Sequence, residues 1–161
     1  MRTVFILGSF LILFNSSGIA QDAPEIQLTS ISLQDLEGNP LDLEKFHGKA
    51  ILLNFWATWC KACLYEIPSI EAAQRKMKEE DIVFLLASDE SLTKIKKFKQ
   101  KHSYNLEFIR LNSSFKEALI KYLPSTLLIN RDGEIVDQYV GYKDWSTRPQ
   151  LNELRRLIEK K

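Results

Sequence analysis

The sequence predicts an α/β domain whose central mixed β-sheet is covered by helices on both faces. Short apolar runs alternate with segments of helical periodicity between residues 50 and 122, which is the pattern of strands joined by crossover helices. Two further apolar runs flank a turn and add an antiparallel pair, and an amphipathic segment ends the chain. A length of 161 residues, 45% hydrophobic and 27% charged, is ordinary for one compact domain.

The first twenty residues have the pattern of a secretory signal. Arg2 precedes an apolar run over residues 4–14, and Gly18 and Ala20 are small at the two positions that a signal peptidase reads. The run is shorter than the about 20 apolar residues that a membrane-spanning helix needs. We therefore predict a signal peptide over residues 1–20 and an exported, periplasmic domain over residues 21–161. An uncleaved membrane anchor through residues 4–14 is the alternative.

The charge balance argues against nucleic acid as a partner. The chain has 22 Lys and Arg against 21 Asp and Glu, and Arg2 is the single charged residue of the signal segment. The remaining domain is therefore formally neutral and has no excess of basic residues with which to bind phosphates.

The domain begins with a predicted β-hairpin and a buried strand. Apolar residues alternate over residues 26–33, residues 38–40 form a Gly-Asn-Pro turn, and residues 41–43 form a second short strand. Residues 50–56 are almost all apolar, which indicates a strand that is buried on both faces of the sheet.

Later segments continue the alternation. Ser114 and Glu117 form a reciprocal capping pattern, which predicts a helix through about Tyr122. The last predicted helix begins near Ser146 and carries an apolar stripe. The other elements, assigned by their periodicity and turn signals, are a buried strand over residues 82–87, a basic surface helix over 91–102, a short strand over 106–109 and a hairpin with strands at 127–129 and 134–136.

Both cysteines of the chain, Cys60 and Cys63, lie between the buried strand and a helix predicted over residues 62–80, in which we expect a kink at Pro68. A disulfide between residues three positions apart closes too small a loop to add much stability. A structural zinc site needs about four ligands, and neither histidine of the chain has finger spacing. Redox chemistry is therefore favoured, with a metal site and an inert buried pair as the alternatives.

The position of Cys60 predicts different roles for the two thiols. Free N–H groups and the dipole at a helix N-terminus favour negative charge, so we expect the pKa of the Cys60 thiol to fall from about 8.5 to roughly 3.5–7.5. Cys60 is the predicted nucleophile, and Cys63, one turn further on, would resolve the mixed disulfide. Lys61 adds positive charge near the thiolate, but at about 30 mV per 1.4 kcal/mol its effect is too small to decide the direction of electron flow.

Two blocks of sequence resemble the exported TlpA/ResA-like thiol-disulfide oxidoreductases, a family with the thioredoxin fold. The blocks are residues 53–63 with 66–68, and residues 124–133, within a likeness that spans about residues 26–160. The resemblance implies a thioredoxin-like fold with an added N-terminal β-hairpin, reaction through a mixed disulfide with a protein client, and no bound cofactor. Asn54 stands where cytoplasmic thioredoxins carry a buried acid.

The resemblance also implies roles for residues beside the cysteines. Glu66 matches an acidic residue that tunes the thiols or relays protons; a solvated helix glutamate is the alternative. Pro124 matches a cis-proline opposite the cysteines, which leaves the backbone of Leu123 free to pair with an extended client. Trp59 would belong to the same docking surface, or pack as a partly buried tryptophan. Residues 61–62 and the bulk of Leu123 depart from the family pattern.

We therefore expect an exported thiol-disulfide oxidoreductase that reduces protein clients, with cytochrome c maturation as one candidate role. Its partners would be client thiols or disulfides and a membrane or exported thiol that donates electrons, and we expect a monomer. An oxidase or isomerase of secreted proteins and a non-catalytic binding module are the alternatives. A peroxidase is less favoured because its Pro-x-x-x-Thr-x-x-Cys context is absent.

Overall fold

The computed structural model describes residues 26–159, so the predicted signal peptide lies outside the described residues. Within this part of the chain, no helix is long and apolar enough to cross a membrane. The elements are, in chain order, β1 (Leu33–Gln34), β2 (Pro40–Leu41), β3 (Ala50–Phe55), α1 (Lys61–Lys76), β4 (Ile82–Ser88), α2 (Leu92–His102), β5 (Glu107–Leu111), β6 (Ser125–Ile129), β7 (Ile135–Val140) and α3 (Arg148–Glu159).

The seven strands of the described residues form one mixed sheet in the order β2-β1-β5-β4-β3-β6-β7. The three strands β3, β4 and β5 pair in parallel, and every other pair in the sheet is antiparallel. The predicted N-terminal hairpin is present as β1 and β2, and β1 joins the sheet by pairing with β5. All six residues of β3 are buried, so the loop that follows Phe55 starts from a rigid position.

The side chains of β3 alternate between two apolar layers. Ala50 and Leu52 face the layer that contains the buried residues of the three α-helices, as does Trp56 just after the strand, whereas Leu53 and Phe55 face the other layer. Helices α1 and α2 lie on the same face because both connect adjacent parallel strands in the same direction across the sheet, and such crossovers share one hand. Within residues 26–159, both faces are covered, as predicted, but only one of them by α-helices.

The second face is covered by irregular segments. Residues 26–31, the short 3-10 turn Leu43–Phe46 and residues 115–120 pack there against the sheet. The prediction of a helix from Ser114 is wrong, because residues 115–120 form no helix. Its capping bonds nevertheless form. The Ser114 N–H donates to the Glu117 carboxylate over 2.8 Å, and the Glu117 N–H donates to Ser114 Oγ over 3.3 Å.

Helix formation stops after this single turn. Leu119 adopts a left-handed conformation, with φ of 60°, and the Ile120 N–H bonds to the Phe115 carbonyl over 2.8 Å. This reversal lets both Ala118 and Ile120 be buried against the sheet. Burial of the two apolar side chains thus outweighs the local capping signal, which was worth only about 1 kcal/mol.

Candidate active site

Cys60 and Cys63 form a disulfide at the start of α1. Cys60 is the N-cap residue of the helix, one position before its first residue, and its sulfur accepts the Cys63 N–H over 3.2 Å. Cys63 is completely buried and Cys60 is 6% exposed. The sulfur predicted to attack is therefore the more accessible one, and it lies where the helix end favours a thiolate.

Glu66 lies on α1 one turn beyond Cys63 and is 1% exposed, so the alternative of a solvated glutamate is wrong. Its Oε1 accepts the Trp145 indole N–H over 3.1 Å and the Lys143 backbone N–H over 3.0 Å. Its Oε2 accepts an N–H of the Asn54 amide over 2.9 Å. Burial raises the pKa of Glu66 to about 7, although these three donors favour the charged form.

Asn54 connects this carboxyl group to the strand that follows Pro124. Besides donating to Glu66, the Asn54 amide donates to Thr126 Oγ1 on β6 over 2.9 Å. Its Oδ1 is buried without a partner in the described part of the chain, so the amide could rotate to accept a hydrogen bond from a protonated Glu66. The site thus holds a carboxyl that changes charge near neutral pH, one turn from a cysteine.

The residues predicted to bind clients lie at the same end of the sheet, where β3 ends and β6 begins. Trp59 is 68% exposed, immediately before Cys60. The Leu123-Pro124 peptide bond is cis, as the resemblance implied, and Pro124 precedes Ser125, which pairs with Phe55 at the end of β3. The Pro124 carbonyl accepts the Gly141 N–H over 2.8 Å, whereas the Leu123 backbone has no backbone hydrogen bond within residues 26–159.

Several residues at this end of the sheet were missed by sequence reasoning. Tyr122 is 70% exposed just before the cis peptide, and Tyr142 is 57% exposed after the last strand. Tyr142 is near Pro124 because of the Gly141 hydrogen bond described above. Nothing local in the sequence separates these tyrosines from core aromatics, and Trp145 lies 79 positions from its partner Glu66. Among residues 26–159, no three or more His, Cys, Asp or Glu side chains are grouped so as to hold a metal ion.

Comparison with known proteins agrees with this geometry. The Redoxin family model matches residues 20–155. The thiol-disulfide oxidoreductase ResA of Bacillus thuringiensis subsp. konkukian is 33% identical over 145 residues, which cover 87% of this chain and 78% of that protein. The ResA protein of Bacillus subtilis is 30% identical over 131 residues, which cover 79% of this chain and 71% of that protein.

Solved structures give the same result. A candidate thiol-disulfide oxidoreductase from Bacteroides vulgatus is 34% identical, with a TM-score of 0.63 over 80% of this chain and 89% of that one. A thioredoxin domain from Bacteroides vulgatus, 22% identical, shares the fold with a TM-score of 0.66 over 80% and 92% of the two chains. These likenesses confirm the predicted thioredoxin-like fold, and the ResA relatives confirm the predicted enzyme class. The chain belongs to the Redoxin family, as a thiol-disulfide oxidoreductase of the ResA type.

Proposed function

We propose that this protein is an exported enzyme that reduces the disulfides of protein clients. The observation that carries the proposal is the buried carboxyl of Glu66, one helical turn beyond the buried Cys63 at a helix start capped by Cys60. This arrangement supplies an accessible nucleophile, a resolving thiol and a proton acceptor in one place.

In the proposed reaction the Cys60 thiolate attacks one sulfur of a client disulfide. The client S–S bond breaks, a mixed disulfide forms with Cys60, and the departing client sulfur takes a proton. Cys63 then gives its proton to the ionised Glu66 carboxylate and attacks the Cys60 sulfur. The S–S bond between Cys60 and the client breaks, and the second client sulfur departs and takes a proton from water. Two electrons pass to the client, and an exported or membrane-bound thiol must reduce the Cys60-Cys63 disulfide for the next turnover.

The charges around the sulfurs favour reduction over oxidation. Strongly oxidising members of the fold owe their potential to a stabilised reduced form. Here the Lys61 ammonium is solvent-exposed and lies 5.9 Å from the Tyr65 ring centroid, so water screens its effect on the thiolate. An ionised Glu66 repels a thiolate on Cys63. Screening weakens the stabilisation of the thiolate by Lys61, and the Glu66 charge destabilises a thiolate, so both features lower the potential.

The proposed client surface combines exposed aromatic rings with free backbone. Trp59, Tyr122 and Tyr142 are exposed: Trp59 precedes Cys60, Tyr122 precedes the cis peptide, and Tyr142 follows Gly141, whose N–H bonds to Pro124. The Leu123 N–H and carbonyl can bond to an extended client segment as an added strand does. Aromatic side chains supply large contact area at little entropic cost. A client that presents a cysteine in an extended, apolar segment fits this surface.

Trapping of a mixed disulfide tests the proposal. The Cys63→Ala variant should hold insulin covalently through Cys60, whereas the Cys60→Ala variant, which keeps the buried thiol, should hold none. The wild type should reduce insulin with a potential close to the about −270 mV of thioredoxin. A potential near about −120 mV would instead identify an oxidase, and a Cys-to-Ser double variant that retained full biological activity would identify a binding module.

Cytochrome c maturation is the narrower part of the proposal. The site for haem attachment in c-type cytochromes is a Cys-x-x-Cys-His segment, so an oxidised peptide with that sequence should be reduced faster than a matched peptide in which the histidine and flanking apolar residues are scrambled. Equal rates for the two peptides would contradict this role.

We also propose that residues 1–20 direct export and are removed, that the mature protein is a periplasmic monomer, and that its electron donor is a membrane or exported thiol. Both points can be tested on protein recovered from the host's exported fraction. Its intact mass tests the cleavage, and its sedimentation tests the oligomeric state. Retention in the membrane fraction at full length would favour the uncleaved anchor through residues 4–14.

A further inference from the structure

Glu90 lies between β4 and α2, outside the cysteine motif, and both of its carboxylate oxygens bond to one residue of the active-site loop. The Thr58 N–H donates to Glu90 Oε2 over 2.7 Å, and the Thr58 hydroxyl donates to Glu90 Oε1 over 2.9 Å. The two residues are 32 positions apart in sequence. Hydrogen bonds to an ionised group are about twice as strong as neutral ones, so this pair of bonds is a strong restraint on Thr58.

The carboxylate of Glu90 is itself firmly held. Its side chain is 7% exposed and forms an ion pair with Lys94 one turn into α2, while Arg110 on β5 donates to its backbone carbonyl over 3.2 Å. Burial acts to raise the pKa of Glu90, but hydrogen bonds from Lys94 and Thr58 outweigh it and lower the pKa. Glu90 is therefore ionised at neutral pH, and Lys94 and Arg110 hold its side chain and its backbone in place.

The loop that Glu90 restrains carries the exposed Trp59 and the Cys60 sulfur. At its start the Trp56 N–H bonds to the Ala87 carbonyl over 3.0 Å, and at its end the Cys60 N–H bonds to the Ala57 carbonyl over 3.1 Å. Only the first of these ties the loop to another strand. Within residues 26–159, the hydrogen bonds that tie Thr58, one residue before Trp59, to another segment are the two to Glu90.

We propose that Glu90 is a positioning residue for client recognition: by binding Thr58 through both oxygens, it holds Trp59 and Cys60 in the orientation that a protein client meets. This inference rests on the proposed docking of clients at Trp59. A loop that is ordered before binding loses less entropy when the client docks. Glu90 touches neither client nor sulfur, so its effect should fall on KM for large clients rather than on the thiol chemistry.

Three substitutions separate positioning from charge. Glu90→Ala removes both bonds to Thr58, and KM for insulin should rise about tenfold, equivalent to ~1.4 kcal/mol, with kcat within about twofold of wild type. Glu90→Gln keeps an acceptor for the Thr58 N–H and offers an amide N–H to the Thr58 hydroxyl, so it should restore KM. Thr58→Val removes only the hydroxyl bond and should give a smaller rise, which adds little to that of Glu90→Ala in the double variant.

A small disulfide and a matched variant complete the test. Glutathione disulfide does not need Trp59, so its rate of reaction with the reduced protein should be the same in wild type and all variants. Asp35 is a suitable control, because its two oxygens accept the N–H and the side-chain amide of Asn39 over 2.8 and 2.9 Å in the turn between β1 and β2. Asp35→Ala should leave KM for insulin unchanged even if it lowers the melting temperature.

The outcomes distinguish failure of the positioning role of Glu90 from failure of the proposed function. An unchanged KM for insulin in folded Glu90→Ala, or an equal loss in Glu90→Gln, would overturn the positioning role, and Thr58→Val answers the question if Glu90→Ala does not fold. A wild type that fails to reduce insulin at all contradicts the proposed function instead.

Discussion

Replacement of Glu66 by Gln should remove a specific pH dependence of stability. The pKa of Glu66 rises from its ordinary value of 4.5 to about 7 in the folded protein, mainly because the side chain is buried. Such a rise corresponds to about 3 kcal/mol. The group favours the folded state fully below pH 4.5, and this advantage is lost as the pH rises through about 7.

The measurement is urea unfolding of the oxidised protein at a series of pH values, with wild type and Glu66→Gln compared at each. The difference in unfolding free energy, wild type minus variant, should fall by about 3 kcal/mol between pH 4.5 and pH 8, with a slope near 1.4 kcal/mol per pH unit between the two pKa values. Comparison at equal pH cancels the other titrating groups. The variant's amide can be accommodated because Asn54 Oδ1 is free to accept its N–H.

The matched control is Glu71→Gln. Glu71 lies on the same helix but is half-buried and paired with Arg75 at 2.9 Å, and its replacement leaves Glu66 in place. This variant should therefore keep the whole pH-dependent loss of the wild type. A difference between wild type and Glu66→Gln that stayed constant to within about 0.5 kcal/mol over the same range would refute the idea that a buried carboxyl titrates near neutral pH. The inflection near pH 7 in the rate of insulin reduction should disappear in the same variant.

Three further predictions concern single residues. Trp145→Phe removes the indole N–H from Glu66 Oε1, so the Glu66 inflection should move to higher pH and unfolding should become easier by about 2–3 kcal/mol; an unmoved inflection would contradict the bond. Asn54→Asp places a second carboxyl beside Glu66 Oε2, so the two acids should share one proton and stability should fall more steeply above pH 7 than in wild type, as urea unfolding would show. Ser103 is exposed and left-handed after α2, with φ of 55°, so Ser103→Gly should stabilise the fold by about 0.5–1 kcal/mol in thermal unfolding; a lower melting temperature would contradict this.

Much of the fold follows from local pattern. The apolar runs at residues 50–56 and 82–87 specify strands β3 and β4, because a strand buried on both faces needs side chains that are apolar throughout. The helical spacing after Cys63 specifies α1, and the turn at residues 131–133 specifies the hairpin of β6 and β7. The sulfur chemistry was also predictable, since two cysteines at a strand-to-helix junction have few other uses.

Other features depend on contacts between distant segments. The capping bonds at Ser114 form, but whether a helix grows from them depends on what Ala118 and Ile120 can bury against the sheet. No property of residues 114–122 alone reports the shape of that surface. In the same way, nothing in residues 114–122 alone indicates that Tyr122 is 70% exposed beside the cis peptide of Pro124.

The sequence by itself determined the enzyme class, the order of the strands along the chain and the position of the cysteine pair at a helix start, because each depends on residues that are neighbours in sequence. The tertiary structure alone decided the pKa of Glu66 and the restraint on Thr58. Burial and hydrogen bonding set the charge of a carboxyl, and its donors here come from Asn54, 12 positions before it, and Trp145, 79 positions after it. Only the packed fold brings such groups within 3 Å or so of each other.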